Sequence, residues 1–134
     1  GDEGADSLTG SGGKDVLIGG TGSDVLAGGS GDDYVGGGED DDTVSGGGNT
    51  DQVYGGLGND TVDGGDGDDF IFVDAAEGSD TIDGGAGADY LYFNRTGSTQ
   101  GLTFSLANPG LAQVLADGTS IVNVERMFFT GGSG

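Results

Sequence analysis

Aspartate returns every nine residues in this chain, and an aliphatic residue follows each one two positions later. The stretch GGTGSDVLAGGSGDDYVG (residues 19–36) shows the unit twice, with glycine at places one, two and four, aspartate at six and an aliphatic side chain at eight. In this frame ten units run from Gly1 to Tyr92. Place six is Asp6, Asp15, Asp24, Asp33, Asp42, Asp51, Asp60, Asp69, Asp80 and Asp89; place eight is Leu8, Leu17, Leu26, Val35, Val44, Val53, Val62, Ile71, Ile82 and Leu91. Only VDAAEGSDTID (73–83) breaks the frame, with two extra residues and without the first two glycines. Carboxylates at fixed phase on glycine-rich turns are suited to binding a hard cation through oxygen.

Composition narrows the chemistry further. The 134 residues include 34 glycines and only 32% hydrophobic residues, so a broad apolar core is not expected. Twenty-four acids face three bases, Lys14, Arg95 and Arg126, for a formal charge of −21. Such a chain repels nucleic acid and acidic membrane surfaces, and no apolar run approaches membrane-spanning length. Nucleic-acid binding and membrane insertion are therefore not expected. Without His or Cys there is no usual zinc, haem or iron–sulfur ligand, no disulfide and no Ser-His or Cys-His nucleophile. The chain opens without Met and shows no leader pattern, which reads as a piece of a larger protein.

The elements that must position the aspartates follow from the period. Six residues of turn and three of x-aliphatic-x predict a short strand per unit, two units per coil, and coils stacked as two facing parallel sheets over a thin aliphatic filling. Asp40 and Asn49 are the replacements for glycine at place four, and both types tolerate positive φ, so place four is expected to be left-handed. Unit n then stacks on unit n+2. Asp6, Asp24, Asp42, Asp60 and Asp80 descend one edge, and Asp15, Asp33, Asp51, Asp69 and Asp89 the other. At a strand separation of ~4.8 Å, two bare carboxylates repel by roughly 3 to 4 kcal/mol at an effective dielectric of about 20. Cations between turns would remove that repulsion. Calcium suits carboxylate and carbonyl donors better than magnesium, which gives up its water reluctantly. Four gaps on each edge make up to about eight internal sites, and eight Ca²⁺ would bring the formal charge to roughly −5.

These units resemble the nonapeptide G-G-x-G-x-D-x-U-x of the repeats-in-toxin (RTX) family, a calcium-binding repeat of β-helical proteins. Units 19–27, 28–36, 55–63, 64–72 and 84–92 match it at every specified place. The resemblance implies an all-β fold, a right-handed parallel β-roll with two nonapeptides per coil, with Ca²⁺ held between turns by the place-six carboxylates and by turn carbonyls. Carried over by position, the carbonyl donors include Gly20 and Gly22, Gly29 and Gly31, Gly56 and Gly58, Gly65 and Gly67, and Gly85 and Gly87. It also implies a secreted, extracellular setting, type I secretion, and further repeats or other domains in the same parent chain. The turn Ala75 to Asp80 departs from the pattern, as do Asp2 and Ser11 in place of a second glycine, and sites there are expected to be weaker or empty.

Residues 1–92 thus read as a calcium-binding roll, 93–130 as a C-terminal β capping segment, and 131–134 (GGSG) as the truncated start of another repeat. In the capping segment Leu102, Phe104 and Leu106 alternate, a second strand-like run spans Ile121 to Phe129, and Pro109-Gly110 and Asp117-Gly118 mark turns. The family resemblance attaches such a segment to a pair like Val124-Glu125. Asp32, Asp41, Asp63, Asp66, Asp68 and Asp83 fall outside place six and read as solvated surface. Tyr34, Tyr54, Phe70, Phe72, Tyr90 and Tyr92 flank place eight and should face outward. No carboxylate is set apart from its equivalents, so no enzyme activity is expected. A disordered Gly/Asp linker would explain the composition but not the phase; without metal the chain is expected to be largely unfolded. The alternative reading is an adhesive or carbohydrate-binding solenoid.

Overall fold

The computed structural model describes residues 1–74, 78–94, 109–115 and 117–130. Among the described residues there is no helix. The repeats form β1 (Ser7–Gly12), β2 (Val16–Thr21), β3 (Val25–Ser30), β4 (Tyr34–Glu39), β5 (Thr43–Gly48), β6 (Gln52–Leu57), β7 (Thr61–Asp66), β8 (Phe70–Asp74), β9 (Thr81–Ala86) and β10 (Tyr90–Asn94). Beyond them lie β11 (Gln113–Val114), β12 (Ser120–Val122) and β13 (Arg126–Thr130). Two sheets result, ordered β1-β3-β5-β7-β9-β12-β11 and β13-β10-β8-β6-β4-β2. Odd repeat strands fill one sheet and even ones the other, so the chain is a parallel β-solenoid of the β-roll type. The register Ser7↔Val25, Val25↔Thr43 and Thr43↔Thr61 has the 18-residue step of two units per coil. At Thr61↔Thr81 and Phe70↔Tyr90 the step becomes 20, which is where the two extra residues of 73–83 are absorbed.

The strands are longer than the three residues the pattern suggests. A six-residue strand such as β3 covers places seven to nine and runs on through places one to three of the next unit, leaving only places four to six as turn. The extension is possible because place two takes positive φ without losing its ladder partner: Gly20 at 124°, Gly29 at 112°, and even Ser11 at 85°. Place four is left-handed as expected in the regular units, including Asp40 at 77° and Asn49 at 85°. Glycine at place two answers a second demand as well. A Cβ on Gly47 would collide with the carbonyl oxygen of Gly29 in the coil below, as it would at Gly20, Gly38, Gly56 and Gly65 with theirs. Coils therefore approach backbone to backbone.

Alternation along each strand turns places eight and one inward. Leu17, Leu26, Val35, Val44, Val53, Val62, Ile71, Ile82 and Leu91 form one buried file, with Leu8 partly buried at its start. Toward the other end Val73 and Phe93 replace the inward place-one glycine, and Leu115, Ile121 and Val124 join the same core. On the outer face of the even sheet the aromatic residues stack in sequence. Tyr54 and Phe72 lie 4.3 Å apart and 4° from parallel, Phe72 and Tyr92 4.8 Å, and Tyr92 and Phe128 5.1 Å. Tyr34 leans over from place seven to reach Tyr54 at 4.9 Å, where place nine is Gly36.

Ile121 pairs with Ile82 and Met127 with Leu91, so β12 and β13 lie on the roll as a further strand of each sheet. Asp117-Gly118 is the turn between antiparallel β11 and β12, and Pro109-Gly110 is also a turn. The expected strand at Leu102, Phe104 and Leu106, and the repeat start at 131–134, lie outside the described residues.

Two neighbouring glycines test the backbone argument. Gly47→Ala, at φ 115° and against a carbonyl, should cost about 1–3 kcal/mol or more in the metal-loaded chain. Gly48→Ala, whose added Cβ would have its nearest neighbour 3.9 Å away, should change stability by less than about 0.5 kcal/mol. Thermal denaturation of both variants checks the difference.

Candidate metal centre

Every place-six aspartate stands at the mouth of a strand, where its backbone and side chain serve different coils. The N–H of Asp24 donates to Oδ1 of Asp42 at 2.8 Å, that of Asp33 to Asp51 at 2.8 Å, that of Asp42 to Asp60 at 2.9 Å and that of Asp51 to Asp69 at 2.8 Å. The same bond joins Asp6 to Asp24, Asp15 to Asp33, Asp60 to Asp80 and Asp69 to Asp89. All ten predicted aspartates are thus brought together as two columns, in the order expected from stacking. Eight of them, Asp24 through Asp89, are buried.

In Asp24 through Asp89 this bond accounts for one carboxylate oxygen. The other is not accounted for: Oδ2 of Asp24, Asp33, Asp42, Asp51, Asp60, Asp69, Asp80 and Asp89 is buried without a hydrogen-bond partner, as is Oδ2 of Asp15 in the first coil. Its surroundings are acceptors. A Cβ placed on Gly46 would lie 2.6 Å from Oδ2 of Asp51 and 2.6 Å from the carbonyl oxygen of Gly64 in the next coil; on Gly28 the values are 2.6 Å to Asp33 and 2.5 Å to the Gly46 carbonyl. The same convergence recurs at Gly1, Gly10, Gly19, Gly37 and Gly64. Glycine at place one is therefore required by the carboxylate that occupies its inward slot.

The exception is Gly55, where the three nearest atoms all belong to Asp60. The unit above it is the irregular one, with Val73 where the place-one glycine should be, and the ladder there stops at Tyr54↔Phe72. The irregular unit recovers at Gly78, which lies over the Gly58 carbonyl, and at Asp80, which receives the Asp60 N–H at 3.0 Å.

Of the predicted carbonyl donors, the place-two glycines lie in the strands and the place-four glycines in the turns. Gly20, Gly29, Gly56, Gly65 and Gly85 at place two, and Gly22, Gly31, Gly58, Gly67 and Gly87 at place four, all have positive φ. The carbonyl oxygens of Gly20, Gly29, Gly65, Gly58 and Gly67 each crowd the position that a Cβ would take on the equivalent glycine one coil on. An unpartnered buried carboxylate oxygen, flanked by carbonyls and lacking any donor, fits an oxygen-seeking cation.

Charge in such a place is costly. Burial, the largest cause, pushes Asp42, Asp60 and Asp69 up to about 6 and Asp89 up to about 7, with neighbouring carboxylates adding to the rise against the lowering effect of the N–H bond. Asp51 and Asp80 are raised for the same first cause. The place-five acids behave differently. Asp32, bonded to Lys14 at 2.7 Å, and Asp41, bonded to the Asn59 amide, are exposed and lowered by those hydrogen bonds. Asp63, Asp66 and Asp68 are exposed as expected; Asp83 is half-buried, accepting from Asn123 Nδ2 at 2.8 Å.

The sequence reading missed two residues that continue the columns. Asp80 donates its N–H to Oγ1 of Thr119 at 3.2 Å, and Asp89 to Oε2 of Glu125 at 2.8 Å. Both stand at place six relative to Ile121 and Met127. The available signal was the spacing, a polar residue two positions before an aliphatic one, in Thr119-Ser120-Ile121 and Glu125-Arg126-Met127.

Among models of known protein families, the chain matches the RTX calcium-binding nonapeptide repeat, in four copies, over residues 1–35, 36–71 and 72–95. No curated protein matches it.

The raised carboxyls predict an acid dependence. A folded-state pKa above the ordinary carboxyl value of about 3.9 means that the fold holds those protons more tightly than the unfolded chain. Their contribution is fully present below about pH 4 and lost as pH rises through 6 to 7. The metal-free chain should therefore show more β-structure by circular dichroism near pH 4 than at pH 7.5, while calcium binding strengthens in the opposite direction and releases protons. A metal-free signal independent of pH would contradict the burial of these groups.

Proposed function

The chain belongs to the RTX calcium-binding nonapeptide repeat family, and on that premise we propose that calcium binding and folding of this domain are a single event. The observation that carries the reading is the file of buried Oδ2 atoms facing carbonyls without a donor. Ca²⁺ would be held between turns by the place-six aspartates and by the carbonyls of the place-one, place-two and place-four residues. The ion supplies the positive charge that lets the columns close. The chain supplies the rest: glycines that admit the carboxylates, a ladder that sets their spacing, and an aliphatic file that the closed coils bury.

A charge of −21 gives the proposed switch its direction. Where Ca²⁺ is scarce, as inside a cell, the chain stays expanded; where it is abundant, as outside, the coils form. Extracellular calcium modules bind at about 10⁻⁴ to 10⁻³ M, a range that matches this division. RTX repeats are typical of secreted bacterial proteins, and we place this domain there, as a non-catalytic module that stabilises and aids export of a larger chain. Each ion joins two coils and each coil supports the next, so binding is cooperative.

The adhesive alternative has less support. A sugar stacks on an open aromatic face, and here the interior members of the ladder, Tyr54, Phe72 and Tyr92, turn both faces toward neighbouring rings.

Titrating the metal-free chain with Ca²⁺ under circular dichroism should give a sigmoidal coil-to-β transition that Mg²⁺ at matched ionic strength does not produce. β-structure that ignores Ca²⁺ would overturn the reading. Asp51→Asn keeps the acceptor for the Asp33 N–H but loses the charge. It should raise the calcium midpoint by about tenfold, equivalent to about 1.4 kcal/mol, and reduce cooperativity.

A further inference from the structure

The cap closes the two edges of the roll with different chemistry. On the edge carrying Asp15 through Asp89, the segment that passes over the last regular turn is Asn123-Val124-Glu125, leading into β13. The bond from the Asp89 N–H to Glu125 Oε2, at 2.8 Å, repeats the bonds from Asp51 to Asp69 and from Asp69 to Asp89 at 2.8 and 2.9 Å. The inward slot is repeated as well. At Gly84 the Oδ2 of Asp89, fully buried and without a partner, lies 2.8 Å from the position of a Cβ, and the carbonyl oxygen of Asn123 crowds the same point. In the coil below, Asp69 Oδ2 and the Gly84 carbonyl meet at Gly64 in the same way.

On the opposite edge the last aspartate meets a different arrangement, in which the nearby carboxylate, Asp117, accepts the Thr119 N–H at 3.0 Å and not that of Asp80. Asp80 gives its N–H to a neutral hydroxyl, Thr119 Oγ1, and Val73 stands where the inward glycine would be.

We propose that the cap contributes to a calcium site of its own, formed by Asp89, Glu125 and the carbonyl of Asn123, beyond the sites between repeats. The proposal rests on the calcium reading of the repeats. Only Val124 separates Asn123 from Glu125, whereas four residues separate Gly84 from Asp89, so this turn has no counterpart of places two to four. The longer Glu side chain reaches the N–H that Asp reaches in a full turn. With backbone carbonyls from one full turn rather than two, the site is the weakest of its column and fills last. Its effect is to make docking of β13 depend on metal along one edge only.

The test uses the full 134-residue chain and Ca²⁺ alone. Glu125→Gln retains an acceptor for the Asp89 N–H and removes the charge. By equilibrium dialysis it should bind one ion fewer per chain at saturation, whereas Thr119→Val should bind as many as the wild type. A Glu125→Gln chain with the full complement and an unchanged midpoint would overturn the proposal. A wild-type chain that binds no Ca²⁺ would overturn the calcium reading itself. A second measurement needs no variant. The chain has four glutamates, Glu3, Glu39, Glu77 and Glu125, so carboxyl ¹³C resonances of glutamate-labelled wild type can be followed through the titration. The Glu125 resonance should move with the last equivalent of Ca²⁺; one that stays fixed to saturation sinks the proposal.

Discussion

One bond organises this molecule: the backbone N–H of a place-six aspartate donating to the carboxylate of the aspartate one coil on. It links successive coils at the spacing set by the backbone ladder and draws each accepting carboxylate inward. It engages one carboxylate oxygen and leaves the other buried among acceptors. The place-one glycine follows, because that second oxygen occupies the space of its side chain. So does the rise in acidity constants, because burial disfavours charge and the N–H bond offsets only part of it. A buried carboxylate column without counter-charge is an unstable arrangement, and its remedy is a cation.

The apolar part of the fold is too narrow to dominate. The place-eight side chains form one file between the two sheets, while the apolar residues of the outer faces, such as Val16, Ile18 and Val25, stay exposed apart from the stacked aromatic residues. The ladder works as cross-strand packing between identical positions of parallel strands. It ties β4 through β13 along the even sheet only. The odd sheet has Thr, Ala, Ser and Asp at those outward positions.

Departures from the repeat gather toward the C-terminal end and share a cause. Val73 and Phe93 replace inward glycines, widening the core where β11, β12 and β13 cover it. Asp80 still accepts the Asp60 N–H, but Val73 fills the slot where a place-one glycine brings a carboxylate oxygen and a carbonyl together, so the same substitutions that strengthen the core remove that acceptor pair on the Asp80 edge. The Asp89 edge keeps Gly84 and with it the acceptor pair. Apolar closure and ionic closure therefore compete for one slot, and the two edges have taken different sides.

Much of this was legible in the sequence because a nine-residue period constrains every unit at once. Asp at place six and an aliphatic at place eight specify which side chain turns in, and Asp40 and Asn49 disclose the left-handed place by tolerating it. The 18-residue coil and the two aspartate columns follow from alternation alone. Strand length was not legible, because glycine at place two hides an extended backbone that propensity would assign to turn. Nor was the role of the cap. Thr119 and Glu125 enter the columns through contacts across 39 and 36 residues, from a segment whose own spacing does not repeat. A periodic sequence determines what each repeat does to the next, since those contacts are copies of one another. Where the period stops, the partner of the last coil is chosen by tertiary packing, and only the folded chain shows that a hydroxyl closes one edge and a carboxylate the other.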